Sequence, residues 1–291
     1  MKIRVDVLFL QALISFSAVV NAFSTRRSVG RHGISHRTEP ITFSAFDTDA
    51  DPYDLRGKKT TVSDYNEEDN QIRDALKREL LLLSSVSNRG DYCSLEEQSL
   101  LIDLVSQLEA LNPTKNPAYH MEGEWDLCLS STQSFRSSPF FQTIRAAMGD
   151  ENRQLIENVF DLHDRATSVS RVGRIRQTIS GQRLVSEVDL EVGLTPGIPI
   201  RMKGTVQTTA SMKVVSPDMF ETQIQSTLVI GSNIPILNQF LEDPKMQLPV
   251  GDIYGIVLGK PPSVTTRTFY VDEGLRIVRD VDDNFFVFTR A

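Results

Sequence analysis

After Pro117 the 291-residue chain alternates apolar and polar residues with a period of two. Clear examples are 184–192 and 220–230, in which acidic or amide side chains separate apolar ones. The C terminus continues as a meander of segments 266–271, 275–279 and 285–290, joined by turns at 272–274 and 280–284. This alternation is typical of β-strands that bury one face, and the short polar turns indicate antiparallel neighbours.

About eight such strands follow two helical segments, and helices and strands do not alternate along the chain. Since one face of each strand is apolar, the sheet must close on itself or be covered. The sequence therefore predicts a mainly β (α+β) fold, an antiparallel barrel of about eight strands with an N-terminal helical pair. Barrels of this size can hold one small ligand. A flat sandwich has the same periodicity and remains the alternative.

Two amphipathic helices precede the strands. The first has an apolar stripe formed by Ile72, Ala75, Leu76, Leu80 and Leu83. It is expected to stop at 88–90, where Gly90 suits a left-handed position. Ser94 and Glu97 form a capping box for the second helix, which ends at Asn112-Pro113. Its stripe comprises Leu101, Leu104, Val105, Leu108 and Leu111. We expect the pair to cover one end of the barrel; an interface with another protein is the alternative.

Two segments between these helices and the later strands have weaker patterns. Residues 124–129 predict a strand with Trp125, Leu127 and Leu129 on one face. Residues 140–159 indicate helical or mixed structure.

The N terminus carries a targeting pattern. Lys2 and Arg4 precede an apolar run at 7–20 that ends in Val20-Asn21-Ala22, which predicts a cleaved signal peptide over 1–22. Residues 23–46 contain four arginines, seven Ser or Thr residues and one acid, as transit peptides do. A signal peptide followed by such a segment resembles the bipartite presequences of secondary plastids. A disordered linker in a secreted protein is the alternative for 23–46.

The acidic segment 47–69 has few large apolar residues and is predicted to be a disordered linker. Residues 1–46 carry a charge of +4, so 47–291 carry −11 of the total −7. This acidic body argues against nucleic-acid binding and against simple electrostatic docking on an anionic membrane. Two cysteines and four histidines argue against a zinc site or a disulfide framework.

No convincing catalytic constellation occurs. Gly259-Lys260 lacks the other residues of a phosphate loop. His163, between Asp161 and Asp164, suggests acid–base chemistry, but we interpret it as a solvated residue at a helix end. The acidic turn 280–284 could bind calcium, yet it lacks the glycine and distal Glu of an EF loop and is interpreted as a solvated hairpin turn. We expect no catalytic residue, no metal and no cofactor.

A basic strand carries Arg171, Arg174 and Arg176. We expect it to face outward and to pair with the acidic residues Glu187, Asp189 and Glu191, with a lipid headgroup or phosphate contact as the alternative. Cys93 and Cys128 are expected to be small buried residues, with a redox pair as the alternative.

Several motifs together resemble the plastid lipid-associated protein/fibrillin (PAP/fibrillin) family. Gly123-Glu124-Trp125 resembles the lipocalin Gly-x-Trp motif, in which the Trp plugs the closed end of a barrel. The other matching segments are 88–90, 108–114, 137–140, 270–279 and 286–290, and the resemblance covers 70–291. Two departures lie near the C terminus, where 280–284 lacks a frequent glycine and Val271 replaces a frequent leucine.

The resemblance implies a lipocalin-like domain over 70–291 in plastids, at thylakoids or plastoglobules, that binds or stabilises lipids or isoprenoids without catalysis. It points to Gly123, Trp125, Asp272, Leu275 and Arg276 as ligand-binding or barrel-end residues. An arginine stacked on Trp125 would be a cation–π contact. Two alternatives are a scaffold that docks and stabilises an isoprenoid-synthesis enzyme and, less favoured, a lipid-modifying enzyme.

Overall fold

The computed structural model describes residues 62–148, 150–167, 170–193, 201–231 and 263–291. The predicted signal peptide, the transit-like segment and the rejected phosphate loop at Gly259-Lys260 lie outside them. Helix α1 begins at Val62, within the segment 47–69 that was predicted as a disordered linker. The described helices are α1 Val62–Val86, α2 Leu95–Ala110, α3 Pro139–Met148 and α4 Arg153–Thr167.

The strands of the described residues form a closed antiparallel barrel. Each strand pairs with the next along the chain, and β1 pairs with β8. The barrel fold and the helical pair are thus confirmed, and the sandwich is excluded because both sheet edges pair with each other. The strands are β1 Gly123–Ser130, β2 Ser170–Ser180, β3 Arg183–Gly193, β4 Arg201–Ser216, β5 Met219–Ile230, β6 Ser263–Val271, β7 Leu275–Arg279 and β8 Phe285–Arg290.

The end of the barrel at which Trp125 lies is here named the Trp end. The short turns 181–182, 217–218 and 272–274 are at this end. A 3-10 turn, Pro117–Tyr119, closes it, because Ala118 and Met121 belong to the same buried cluster as Trp125. The Trp125 indole Nε1 donates a hydrogen bond to the Met121 carbonyl at 2.8 Å.

The outer wall of the barrel is apolar along β7 and β8. Residues 275–278 and 285–288 are buried without alternation, so these strands have apolar residues on both faces. Helices α1 and α2 cover the outer face there, and Leu80, Leu104 and Leu108 pack against it. The expectation that the helical pair covers one end of the barrel is therefore wrong, because the wall of β1 and β6–β8 is the apolar surface that needs a cover.

The capping box and the turn of the helical pair follow the sequence pattern, whereas Ile72 and Ala75 of the predicted α1 stripe are exposed. Ser94 and Glu97 form the predicted capping box, with both hydrogen bonds present. The chain turns between α1 and α2 at Asn88, Arg89 and Gly90, all with positive φ. A Cβ on Gly90 would lie 2.5 Å from the Ser130 carbonyl oxygen, so the close approach of this turn to β1 requires glycine.

Bulges shift two strands away from the predicted alternation. A register shift between Leu127 and Leu129 turns Leu129 outward into the cluster beneath the helical pair, whereas Trp125 and Leu127 face inward. A second shift, opposite Thr209/Ala210, leaves Thr227 on β5 buried, although the alternation along 220–230 places it on the polar face with Glu221, Gln223 and Gln225. A bulge inserts one residue and so exchanges the two faces of the strand beyond it.

The end opposite the Trp end is here named the helical end. Helices α3 and α4 confirm the helical reading of 140–159 and form an aromatic cluster with Ile224 of β5. Gln142 on α3 accepts a hydrogen bond from the Thr266 hydroxyl on β6 at 3.2 Å. These contacts fix the two helices over the barrel opening.

An ion-pair network anchors α3 and α4 to the turn between β7 and β8. Asp282 accepts hydrogen bonds from Arg145 Nε at 2.7 Å and Arg153 Nη2 at 2.6 Å. Both Asp282 and Arg145 are largely buried. The acidic turn 280–284 is therefore not the solvated hairpin that we expected, because arginines on the two helices take up its charge.

Candidate functional site

At the Trp end, Gly123 and Trp125 are in one cluster with an arginine. The guanidinium of Arg290 lies 4.1 Å above the Trp125 ring and donates to the carbonyls of Glu122 and Glu273. Gly123 has φ +126°, and a Cβ there would collide with Arg290 Nη1. Glycine therefore makes room for the arginine that stacks on the tryptophan.

Sequence reasoning expected a cation–π contact on Trp125 from Arg276. The structure has this contact, at 5.3 Å, together with the shorter one from Arg290. Arg290 was missed, although its alternation with Phe286 and Phe288 along β8 was the available signal. It is exposed to solvent at the rim of the barrel, whereas Arg276 is inside.

Asp272 and Leu275 lie outside the barrel. Asp272 Oδ2 accepts hydrogen bonds from Lys77 Nζ at 2.8 Å and the Tyr270 hydroxyl at 2.6 Å. Burial opposes ionisation of Asp272, but these donors and the backbone N–H groups of Gly274 and Leu275 together lower its pKa. Leu275 packs in the cluster beneath the helical pair. Both residues thus fasten α1 to the β6–β7 turn and do not face the interior.

Arg276 is fully buried in the barrel interior. Its guanidinium lies 4.4 Å from the centroid of Phe288, and Nη2 donates to Gln177 Oε1 at 2.5 Å. Burial and, to a smaller extent, the positive charge of Arg290 together lower the pKa of Arg276 to about 9. Among the described residues, Nε and Nη1 have no hydrogen-bond partner.

Polar side chains continue from Arg276 across the interior of β2–β5. Gln177 Nε2 donates to the Ser137 carbonyl at 3.1 Å, which directs its Oε1 toward Arg276. Ser186 is the cross-strand neighbour of Gln177, and Thr208 is the cross-strand neighbour of Ser186. The Thr208 hydroxyl is 3.1 Å from that of Thr227 on β5. This chain of polar residues is here called the polar belt.

A cleft of about 1020 Å³ opens at the helical end, between the barrel strands and the loops of the helices. The apolar strand residues Val172, Val188, Leu190 and Val206 line one side of it. Phe135, Phe140 and Phe141 line it near α3, and Thr208 and Thr227 of the polar belt also line it. A cleft of this size, with one apolar side formed by the strands and a largely polar side formed by loop residues such as Asn88, Arg89, Asp91 and Gln133, suits one amphipathic molecule.

His163 lies in this cleft and is not solvated, so our interpretation of it is wrong. It is 6% exposed, and its ring centroid is 4.7 Å from that of Phe135 and 4.9 Å from that of Phe141. Burial lowers its pKa to about 4, so the imidazole is neutral at pH 7. The amphipathic character of α4 places it on the buried face with Ile156 and Phe160.

The basic strand faces acidic residues on both of its neighbours: in the β2–β3 ladder Arg171 lies opposite Glu191 and Arg176 opposite Glu187, as expected. Arg176 forms ion pairs with Glu124 and Asp126 on β1, the strand on its other side. Arg174 is exposed, and Arg171 lines the mouth of the cleft. The outward orientation and the β3 neighbour were predicted, whereas the ion pairs with β1 were not.

Cys93 and Cys128 are both free thiols. They pack against the cluster beneath the helical pair, as expected for small packing residues. Burial raises the pKa of Cys128 to about 12, which makes its thiol unreactive. In the residues that the structure describes, no group of three metal-ligating side chains could hold an ion. Within the described residues, no helix is long and apolar enough to cross a membrane.

Comparison with known proteins gives one match. The profile of the family described as PAP_fibrillin matches residues 74–289, from the middle of α1 to the penultimate residue of β8. No curated protein and no solved structure matches the chain.

Proposed function

Because the chain belongs to the PAP_fibrillin family, the plastid lipid-associated proteins, we propose that its cleft binds one lipid or isoprenoid molecule. The protein then carries or stabilises that molecule in the plastid. The observation that carries this proposal is the cleft of about 1020 Å³ at the helical end. Its apolar strand residues would cover a hydrocarbon chain, and the polar belt would meet a polar group.

We further propose that the protein is not an enzyme. The family is in general structural and non-catalytic. The one histidine in the cleft, His163, is packed between two phenylalanine rings. Its pKa of about 4 makes it a weak base at neutral pH, which is unfavourable for general acid–base catalysis.

For the location, we propose entry into a secondary plastid by the signal peptide 1–22 and the transit-like segment 23–46. Peripheral attachment at thylakoids or plastoglobules would follow. The support is the composition of these segments and the plastid association of the family. Import of the full chain into isolated complex plastids tests the route, and export to the medium would contradict it.

The binding experiment uses the full chain, a plastid lipid extract and native mass spectrometry after repurification. We expect one retained lipid per chain. Leu190→Arg places a charge in the apolar part of the cleft and should reduce occupancy at least tenfold. The matched control is Val215→Arg, on β4, because Val215 is exposed and does not line the cleft. A folded wild-type protein that emerges empty would contradict lipid binding.

A second candidate function is a scaffold for an isoprenoid-synthesis enzyme. The helical pair packs Leu80 of α1 and most of the α2 stripe against its own barrel, but apolar residues elsewhere on the pair are exposed. Leu82 and Val86 lie one turn apart on α1, at 64% and 66% exposure. Leu95 and Ile102 lie two turns apart on α2, at 82% and 51%. Co-purification of a prenyl synthase with wild type and not with Leu82→Glu would support this candidate.

A further inference from the structure

Arg276 is a buried cation inside the barrel that has no counterion among the described residues. Its side chain is fully buried, and three of its five N–H groups, on Nε and Nη1, lack a partner among the described residues. The neighbouring charge that acts on it is that of Arg290, which is also positive. A buried cation without a counterion is strongly unfavourable, and buried guanidinium groups normally meet a carboxylate or phosphate.

The neighbours of Arg276 only partly stabilise its charge. The rings of Trp125 and Phe288 provide cation–π contacts, and Gln177 accepts one hydrogen bond. None of these groups carries a negative charge. For packing alone, an apolar side chain of similar volume would serve at least as well.

The polar belt leads from Thr208, which lines the cleft, to Arg276, which is buried behind the residues that line the cleft. Thr208, which lines the cleft, lies opposite Ser186 in the β3–β4 ladder, and Ser186 lies opposite Gln177 in the β2–β3 ladder. The buried Ser186 Oγ also has no hydrogen-bond partner among the described residues. Unpaired donors therefore lie both at Arg276 and at the step between Arg276 and the cleft.

We propose that Arg276, with Ser186 and Gln177, binds the carboxylate of a long-chain carboxylic acid whose hydrocarbon chain lies in the cleft. This inference rests on the proposed lipid-binding function and adds the chemical class of the ligand. The acid enters from the helical end, with its head group toward the Trp end.

A monovalent carboxylate fits this site better than a phosphate monoester does. Arg276 offers one positive charge, which one carboxylate neutralises. The other cation at this end, Arg290, already donates to the carbonyls of Glu122 and Glu273, and it stacks on the Trp125 ring at the exposed rim of the barrel. A phosphate dianion would remain half uncompensated in a buried environment.

The test compares three ligands that share a sixteen-carbon chain: hexadecanoic acid, its methyl ester and hexadecanol. Affinities for the full chain are measured at pH 7.5 by displacement of a fluorescent probe. We expect the acid to bind at least tenfold more tightly than the ester and the alcohol. In Arg276→Met this preference should disappear while the ester binds as before.

Two further variants control for charge and for folding. Arg276→Lys keeps a cation and should retain part of the preference. Arg290→Met removes the cation above Trp125 and should leave the preference for the acid unchanged. Arg290 is at the exposed rim, and its Nε and Nη1 groups already donate to the carbonyls of Glu273 and Glu122. If Arg276→Met does not fold, arginine-labelled wild-type protein replaces it. The Nε signal of Arg276 should then move with the acid and not with the ester.

Each outcome decides the proposal. Equal binding of acid and ester by the wild type would overturn the carboxylate site and leave lipid binding intact. Binding of none of the three ligands would overturn both. Competition by 20 mM phosphate but not by 20 mM acetate would assign the site to a phosphate head group and so contradict the inference.

Discussion

Replacement of His163 by phenylalanine should remove a large part of the acid sensitivity of this protein. The imidazole lies on α4 between the rings of Phe135 and Phe141 and is 6% exposed. Burial lowers its pKa from 6.5 to about 4 in the folded chain. Phenylalanine is similar in shape, retains the aromatic contacts and has no charge to bury.

The sign and size of the effect follow from proton linkage. Below pH 6.5 the unfolded chain binds a proton at this histidine, whereas the folded chain does so only near pH 4. This histidine therefore does not reduce the free energy of unfolding above pH 6.5, and it reduces that free energy progressively as the pH drops toward 4. At pH 4.5 the loss from this one group is about 2.5 kcal/mol, at 1.36 kcal/mol for each pH unit.

Urea unfolding of wild type and His163→Phe at pH 7.5 and pH 4.5 measures this difference. The carboxylates that also titrate are common to both proteins, so their effects cancel. We expect the fall in unfolding free energy between the two pH values to be about 2.5 kcal/mol smaller in the variant. His120→Gln, at an exposed position, should behave as wild type. An equal fall in wild type and His163→Phe would refute the reasoning.

Four further substitutions test the scaffold of the barrel, each by thermal or urea unfolding. Asp282→Asn leaves the buried Arg145 without its main counterion and should cost about 2–4 kcal/mol, and an unchanged midpoint would contradict the anchor. Gly90→Ala should destabilise by more than about 2 kcal/mol, since its φ of +96° and its contact with β1 both exclude a Cβ. Gly181→Ala, with φ +56° and open space, should cost only about 1 kcal/mol. Ser186→Ala removes a buried hydroxyl without a partner and should raise stability by about 1 kcal/mol in the ligand-free protein, where a loss would show that the hydroxyl is satisfied.

The regular part of the fold was predictable because it depends on local patterns. The turns at 272–274 and 280–284 and the three C-terminal strands lie where the sequence placed them. The capping box at Ser94 and the glycine stop at Gly90 also follow from short motifs. In each case the residues that form the structure are neighbours along the chain.

The irregular part depends on contacts between distant residues. The bulge that turns Leu129 outward changes the face of a strand without a change in composition. The bond from Arg145 to Asp282 joins residues 137 positions apart, so neither charge could be assigned a partner from the sequence. Arg276 was picked out by a motif, but its lack of a counterion emerges only when the strands surround it.

The closure of the barrel by β1 and β8 has a consequence for truncated forms of the protein. β1 pairs with β8, so the barrel cannot close without residues 285–290. The buried apolar residues of α1 and α2 likewise have no surface to pack against until β6–β8 are present. A product cut before residue 285 therefore exposes two open strand edges and an apolar wall at once, which favours aggregation and proteolysis.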